Sequence, residues 1–200
     1  MDHVNWLKQR ADLKQIVDWV PDGSRVLDVG CGDGQLLHYL QTYKQCSGYG
    51  VDVADEAILK CAQKNVHAIQ HNVDEGLSLF TDQSFDVVVL SQTLQATHKT
   101  KQVLLECARV GRCVLVSFPN FGYWRHIASL LCGRMPVSGA IPFDWHNTPN
   151  IHWCTPKEFE LLCARESLVI QDSVFFNQNK KVDVLKNYLS SLALYQIRRL

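Results

Sequence analysis

The chain has 200 residues, enough for one domain with an adequate core. Hydrophobic residues make up 46% and charged residues 20%, and twenty Lys and Arg balance twenty Asp and Glu. That ordinary, neutral composition offers no electrostatic case for nucleic acid or an anionic membrane as partner.

No apolar run approaches the ~20 residues that a membrane-spanning helix needs. The polar start MDHVNWLKQRAD lacks the apolar centre of a secretory signal, so a cytoplasmic location is expected. The eight cysteines are scattered and form no Cys-x-x-Cys pair. They read as reduced thiols serving as small apolar residues.

In chain order, VNWLKQRADLKQIVDWV (4–20) predicts an amphipathic helix with Trp6, Leu7, Leu13, Ile16, Val17 and Val20 inward. Pro21-Asp22-Gly23 makes a turn. Strand 25–30 leads to helix 33–43, strand 47–53, helix 54–65 and strand 67–72. Strand 84–92 has the continuous apolar centre of a strand covered on both faces. Helix 99–110 and strand 112–119 follow. The rhythm then stops, and resumes with helix 155–167, capped by Thr155 with Pro156 at its first position. Strands 168–176 and 192–197 close the chain. Strands alternating with helices at this rhythm predict an α/β domain built on right-handed crossovers.

Three glycines, Gly30, Gly32 and Gly34, stand between the first strand and its helix. In open α/β sheets ligands bind at that edge. Asp52 lies twenty-two residues beyond Gly30, where a carboxylate can accept both hydroxyls of a ribose. The layout is that of a nucleoside site. A dinucleotide site wants Gly-x-Gly-x-x-Gly, but its third glycine is replaced here by Gln35. Asp33 would also repel a pyrophosphate. A ligand carrying a sulfonium and an ammonium suits Asp28 and Asp33 better, so S-adenosylmethionine is favoured over NAD.

VLDVGCGDGQLL resembles the first motif of the class I S-adenosylmethionine-dependent methyltransferases. GYGVDV, SFDVVVLSQTL and ARVGRCVLVSFPN resemble their second motif, fourth strand and fifth strand. The resemblance implies a Rossmann-like class I methyltransferase fold: a mostly parallel seven-stranded sheet with helices on both faces. It also implies S-adenosylmethionine or S-adenosylhomocysteine as ligand, held by Asp28, Gly30, Cys31, Gly32, Gly34, Asp52, Val53, Asn72, Val73 and Ser91. Asn72 stands where that family usually has an aspartate for the adenine amino group. Its carbonyl can accept the same bond without the charge, and Asp74 is the nearby alternative.

Residues 117–156 hold five of the six prolines and seven of the nineteen aromatics, with only Arg125, Arg134 and Asp144 charged. Within one domain, they form an apolar insertion at about 119–154. It reads as a lid over an acceptor pocket, as a docking surface, or as plain packing. His146, His152 and Cys154 fit no usual metal spacing, and no metal site is expected. LSQTLQAT and SFPNFGYW, followed by GRMPVSGAIPFDWHNTPNIHWCT, resemble the MetW family of methionine-biosynthesis proteins. That resemblance implies homoserine O-acyltransferase as partner.

A methyl acceptor often needs a base for its leaving proton. The end of strand four offers Ser91, Gln92 and Thr93, none of them a base at neutral pH; His98 and His126 are the candidates. No catalytic residue is assigned. Two functions are therefore carried forward: a ligand-binding partner subunit, and a methyltransferase acting on a small molecule.

Overall fold

The computed structural model describes residues 6, 7 and 10–200. Strand β1 (Arg25–Val29) sets its logic: buried on both sides, it pairs in parallel with β2 (Ser47–Asp52) and β4 (Phe85–Ser91). β2 continues to β3 (Ala68–Gln70), and β4 to β5 (Gly111–Pro119), both parallel. Beyond β5 the sheet turns antiparallel. β8 (Leu192–Arg199) inserts between β5 and β6 (Leu168–Asn177), and β7 (Lys180–Lys181) forms the edge. The strand order is β3-β2-β1-β4-β5-β8-β6-β7.

Side chains alternate across the strands. Val26, Val87, Val89, Leu115 and Leu194 join one core. There they meet α1 (Ala11–Trp19), α2 (Gln35–Lys44) and α3 (Asp55–Gln63) through Ile16, Leu37, Leu40 and Cys61. Leu27, Val88, Leu90, Val114 and Val116 join the other. They pack on α4 (Thr100–Val110) and α6 (Pro156–Arg165) through Leu104, Cys107, Phe159 and Cys163. Each such Val or Leu contributes roughly 1.5–3 kcal/mol, so helices on both faces are what keeps a parallel sheet stable.

Several boundaries differ from the sequence reading. The single helix expected over 4–20 is interrupted: Trp6 and Leu7 are helical, Arg10 is not, and α1 begins at Ala11. Residues 4, 5, 8 and 9 of that helix lie outside the described residues. α2 starts at Gln35, not residue 33, because Gly34 takes the left-handed conformation (φ 72°) that a helix cannot include. β3 is shorter than 67–72 because Asn72 caps a 3₁₀ turn, Val73–Glu75. The sheet has eight strands where seven were expected. A tight turn with Gln178 at φ 56° folds Lys180–Lys181 back onto β6, and the two exposed lysines blunt that edge. The N-cap of α6 is as read: the Thr155 hydroxyl accepts from the Glu158 amide at 3.3 Å. All eight cysteines are free thiols.

Inside the insertion lies α5 (Trp124–Leu131), which the sequence reading left unplaced. A short α7 (Lys186–Leu189) precedes β8. Asn120 is the knot between them. Its amide donates to the carbonyls of Asn187 and Ser190 at 2.8 Å, while its own carbonyl accepts from Gly122.

Candidate ligand-binding site

The glycine loop is shaped by three left-handed residues. Gly30, Gly32 and Gly34 have φ of 75°, 53° and 72°, which other residues adopt only with strain. At Gly30 a Cβ would also meet the Thr93 hydroxyl at 2.4 Å, and at Gly34 the Cys61 sulfur at 2.7 Å. The Cβ position of Gly32 faces open space, so that glycine leaves bare main chain toward solvent.

Asp52, at the end of β2, ties this loop down. One carboxylate oxygen accepts from the Gly32 amide at 2.9 Å and the other from the Ala54 amide at 3.0 Å. Each oxygen keeps a lone pair for a further donor. Val53 beside it is 60% exposed, an apolar platform at the rim.

A cleft of about 220 Å³ lies against the loop, lined by Trp6, Arg10, Asp28, Gly30, Cys31, Gly32 and Ser91 among others. Asp28 is only 3% exposed. Among the described residues no hydrogen-bond donor reaches its carboxylate. Burial first, and the Asp52 charge second, push its pKa up to about 7. A buried carboxylate without donors, opening on a cleft, is a place for a cation.

The structure thus brings Asp28, Gly30, Cys31, Gly32, Asp52 and Ser91 together. Gly34 backs the loop from behind. Val73 is a core residue. The Asn72 side chain accepts from the Asp74 amide at 3.0 Å. Asp74, the alternative considered for that role, is engaged as well. Its two oxygens accept from the His98 and Lys99 amides at 3.0 and 2.7 Å, just before α4. The argument from Asp33 also needs correction: its carboxylate is 2.5 Å from the Lys64 ammonium, which offsets its repulsion of an anion. Cys31 and Cys61 bring their sulfurs to 3.8 Å; burial raises the pKa of both thiols.

Two residues at this edge went unrecognised in the sequence. The Arg10 guanidinium forms a two-bond pair with Asp12 at 2.9 and 2.8 Å, and reaches the Ser91 hydroxyl at 3.3 Å. Asp12, 1% exposed, also accepts from the Gln92 amide at 3.1 Å. Burial works against ionisation of Asp12, but Arg10 and Gln92 outweigh it and hold the carboxyl below its usual range. Gln92 itself sits at φ 54°, and its main-chain amide is held by the carbonyl and hydroxyl of Ser117. The signal was an acid, Asp12, four residues before Ile16 on the apolar face of α1.

A second cavity, about 400 Å³, adjoins the first and shares Arg10 with it. Its other walls include Asp12, Gln92, Tyr123, Arg125, His126, Ser138 and Asn177, so the insertion does fold over the sheet's carboxyl edge. His126 is buried with both ring nitrogens engaged, by the Asn120 carbonyl at 3.1 Å and the Ser138 hydroxyl at 2.9 Å. Burial lowers its pKa, so the ring is neutral. His98 precedes α4 and lines neither cavity. The outer face of the insertion is apolar: Leu131 is 84% and Trp145 74% exposed, and Trp124, Leu130, Met135 and Trp153 join them.

The fold is that of the S-adenosylmethionine-dependent methyltransferases. A methyltransferase of Thermotoga maritima, titled a possible histamine N-methyltransferase, superposes with a TM-score of 0.70 at 12% identity, over 100% of this chain and 92% of that one. Magnesium protoporphyrin IX methyltransferase from Synechocystis PCC 6803, solved with bound SAH, gives 0.68 at 14% identity, over 100% and 86%. The particular family is narrower: the chain belongs to the family described as methionine biosynthesis protein MetW, whose model matches residues 10–197. The bifunctional methionine biosynthesis protein MetXA/MetW of Rhodopirellula baltica is 38% identical over 178 residues, 84% of this chain. The match spans only 28% of that relative's length. Among the described residues no helix is long and apolar enough to cross a membrane.

Proposed function

We propose that this chain binds S-adenosylmethionine at the glycine loop and acts as a partner subunit of homoserine O-acyltransferase. The observation that carries the ligand is Asp28, a buried carboxylate without donors beside bare main chain at Gly32. A sulfonium and an ammonium supply the positive charge this site asks for. Asp52 has lone pairs to spare for the ribose hydroxyls, and Val53 offers a surface on which adenine can lie. The cleft takes the amino-acid half, with Ser91 in its wall; Asn72 and Val73, just after β3, are assigned to the adenine end. Bound there, the ligand supplies an electrophilic methyl group; the chain's own residues orient it and shield it from water.

The partner reading rests on two supports. The Rhodopirellula baltica relative carries both names, MetXA and MetW, on one polypeptide. The insertion here exposes Leu131, Trp145 and their neighbours, the aromatic and aliphatic types that form interface cores. Ligand occupancy would then report methionine status to the acyltransferase, because coupling between two sites is reciprocal.

Calorimetry with S-adenosylmethionine tests the first half. Binding is expected, and Asp52→Ala should weaken it at least ~10-fold, about the loss of one charge-assisted pair of hydrogen bonds. Copurification with the acyltransferase, and assay of that enzyme with and without this chain, tests the second. Neither capture nor any change in rate would end the partner reading.

The second reading, methyl transfer to a small molecule, is favoured by the polar cavity abutting the cleft. It predicts S-adenosylhomocysteine formation that depends on added metabolite extract; no turnover with any extract retires it.

A further inference from the structure

The second cavity is lined by a charge that no carboxylate among the described residues answers. Arg10, Asp12 and Arg125 are its ionised walls, since His126 is neutral. Asp12 is spent: its oxygens already accept the Nε and Nη2 groups of Arg10 and the Gln92 amide. Arg10 and Asp12 cancel each other, and among the described residues the cavity walls keep one further positive charge. That charge is Arg125, an exposed residue whose guanidinium lies 5.4 Å from the centre of the Trp124 ring. Among the described residues it meets no carboxylate, and the Nη1 group of Arg10 meets no acceptor. Donors therefore stand in the walls of this space at Arg10 and Arg125, and among the described residues no free carboxylate answers them.

We propose that this cavity binds a small molecule carrying a single carboxylate, held by Arg125 and by the open edge of Arg10. A guanidinium presents paired donors that match the two oxygens of a carboxylate. Asp12 close by disfavours a dianion, which sets a carboxylate apart from a phosphate. At about 400 Å³ the space takes a ligand of metabolite size, and Tyr123, Val137 and Leu192 line it for an apolar body. A carboxylate is ionised at neutral pH and asks for donors, not for a base. That suits a cavity whose histidine is held on both nitrogens. Because Arg10 lines both cavities, occupancy of one alters the donors facing the other.

Saturation-transfer NMR on the full chain tests the assignment with hexanoate and 4-fluorophenylacetate as probes, each against its own primary amide. The acids should bind, and the amides at least ~10-fold more weakly, as for loss of one charged hydrogen-bond pair. Arg125→Gln should weaken the acids by a similar factor, with Arg125→Lys recovering part of it, and neither should move the thermal midpoint. Val137→Trp, which fills the cavity from its rim, should block both acids. Inorganic phosphate should not compete. The proposal is overturned by equal binding of acid and amide, by no binding of either acid at millimolar concentration, by effective competition from phosphate, or by acid binding that survives Arg125→Gln or Val137→Trp. None of these readouts requires S-adenosylmethionine or the acyltransferase, so their failure leaves the function proposed above standing.

Discussion

Around the glycine loop, main-chain amides are accounted for: Gly30 and Cys31 donate to the Val51 carbonyl, Gly32 to Asp52, and Gly34 to Cys31. Across Gln92, in the insertion, the economy is reversed. Tyr123, His126 and Ile141 pack inward, while Trp124, Leu130, Leu131, Met135, Trp145 and Trp153 face out. One region spends its chemistry on holding a shape. The other keeps apolar area available, which a chain does at the cost of solubility and therefore for a reason. The same edge of one sheet thus carries a rigid pocket and an unsatisfied surface, with the Arg10–Asp12 pair at the seam.

Mutations can break that contrast. The largest effect is expected at the seam. Arg10→Ala leaves Asp12 buried without its countercharge and should cost about 3 kcal/mol in urea unfolding. Asp12→Ala should cost less, because the Arg10 side chain is 42% exposed and can rehydrate. Equal costs would mean that the pair is not held by desolvation of Asp12. Next comes Gly30→Ala, where a left-handed φ and the contact with Thr93 should together cost about 2 kcal/mol.

The third effect depends on pH. The pKa of Asp28 is raised from the usual carboxylate value to about 7, so the folded chain holds a proton that the unfolded chain has released. Its contribution is fully present below about pH 4 and is lost as pH rises toward 7, with a slope of up to about 1.4 kcal/mol per pH unit. Denaturation of wild type and Asp28→Asn at a series of pH values checks this; the variant should show a flatter profile. A cationic ligand should reverse the trend and expel the proton, which calorimetry in two buffers of different ionisation enthalpy would read. The smallest effect is expected on the far side of the contrast. Leu131→Ser and Trp145→Ser should change stability by less than about 0.5 kcal/mol, yet, on the partner reading proposed above, weaken capture of the acyltransferase. A large loss of stability would make this surface part of the core economy after all.

What the sequence disclosed follows the range of the interactions. The glycine loop is local: strand, three glycines and helix lie within fourteen residues, and Asp52 answers at a spacing set by one crossover. The continuous apolar runs of β1, β4 and β5 were equally plain because those strands are covered on both faces. Arg10 escaped notice because its partner Ser91 lies eighty-one residues away and its pairing with Asp12 breaks the helical pattern that made the segment readable. The tie of Asp74 was hidden for the same reason: its carboxylate accepts the amides that lead into α4, more than twenty residues on. In the insertion, composition announced an apolar segment but α5 went unplaced, although Trp124, Ile127 and Leu131 recur at helical spacing; eight residues between prolines are too short a run to stand out.

Gln95 has a mechanical consequence. Its side-chain amide grips the Gln92 carbonyl at 2.7 Å, and its main-chain carbonyl accepts both Ile151 and His152 at 2.8 and 3.0 Å. One residue is thus the fulcrum between the strained turn after β4 and the far limb of the insertion. The inner chamber and the outer face are thereby tied through a single side chain.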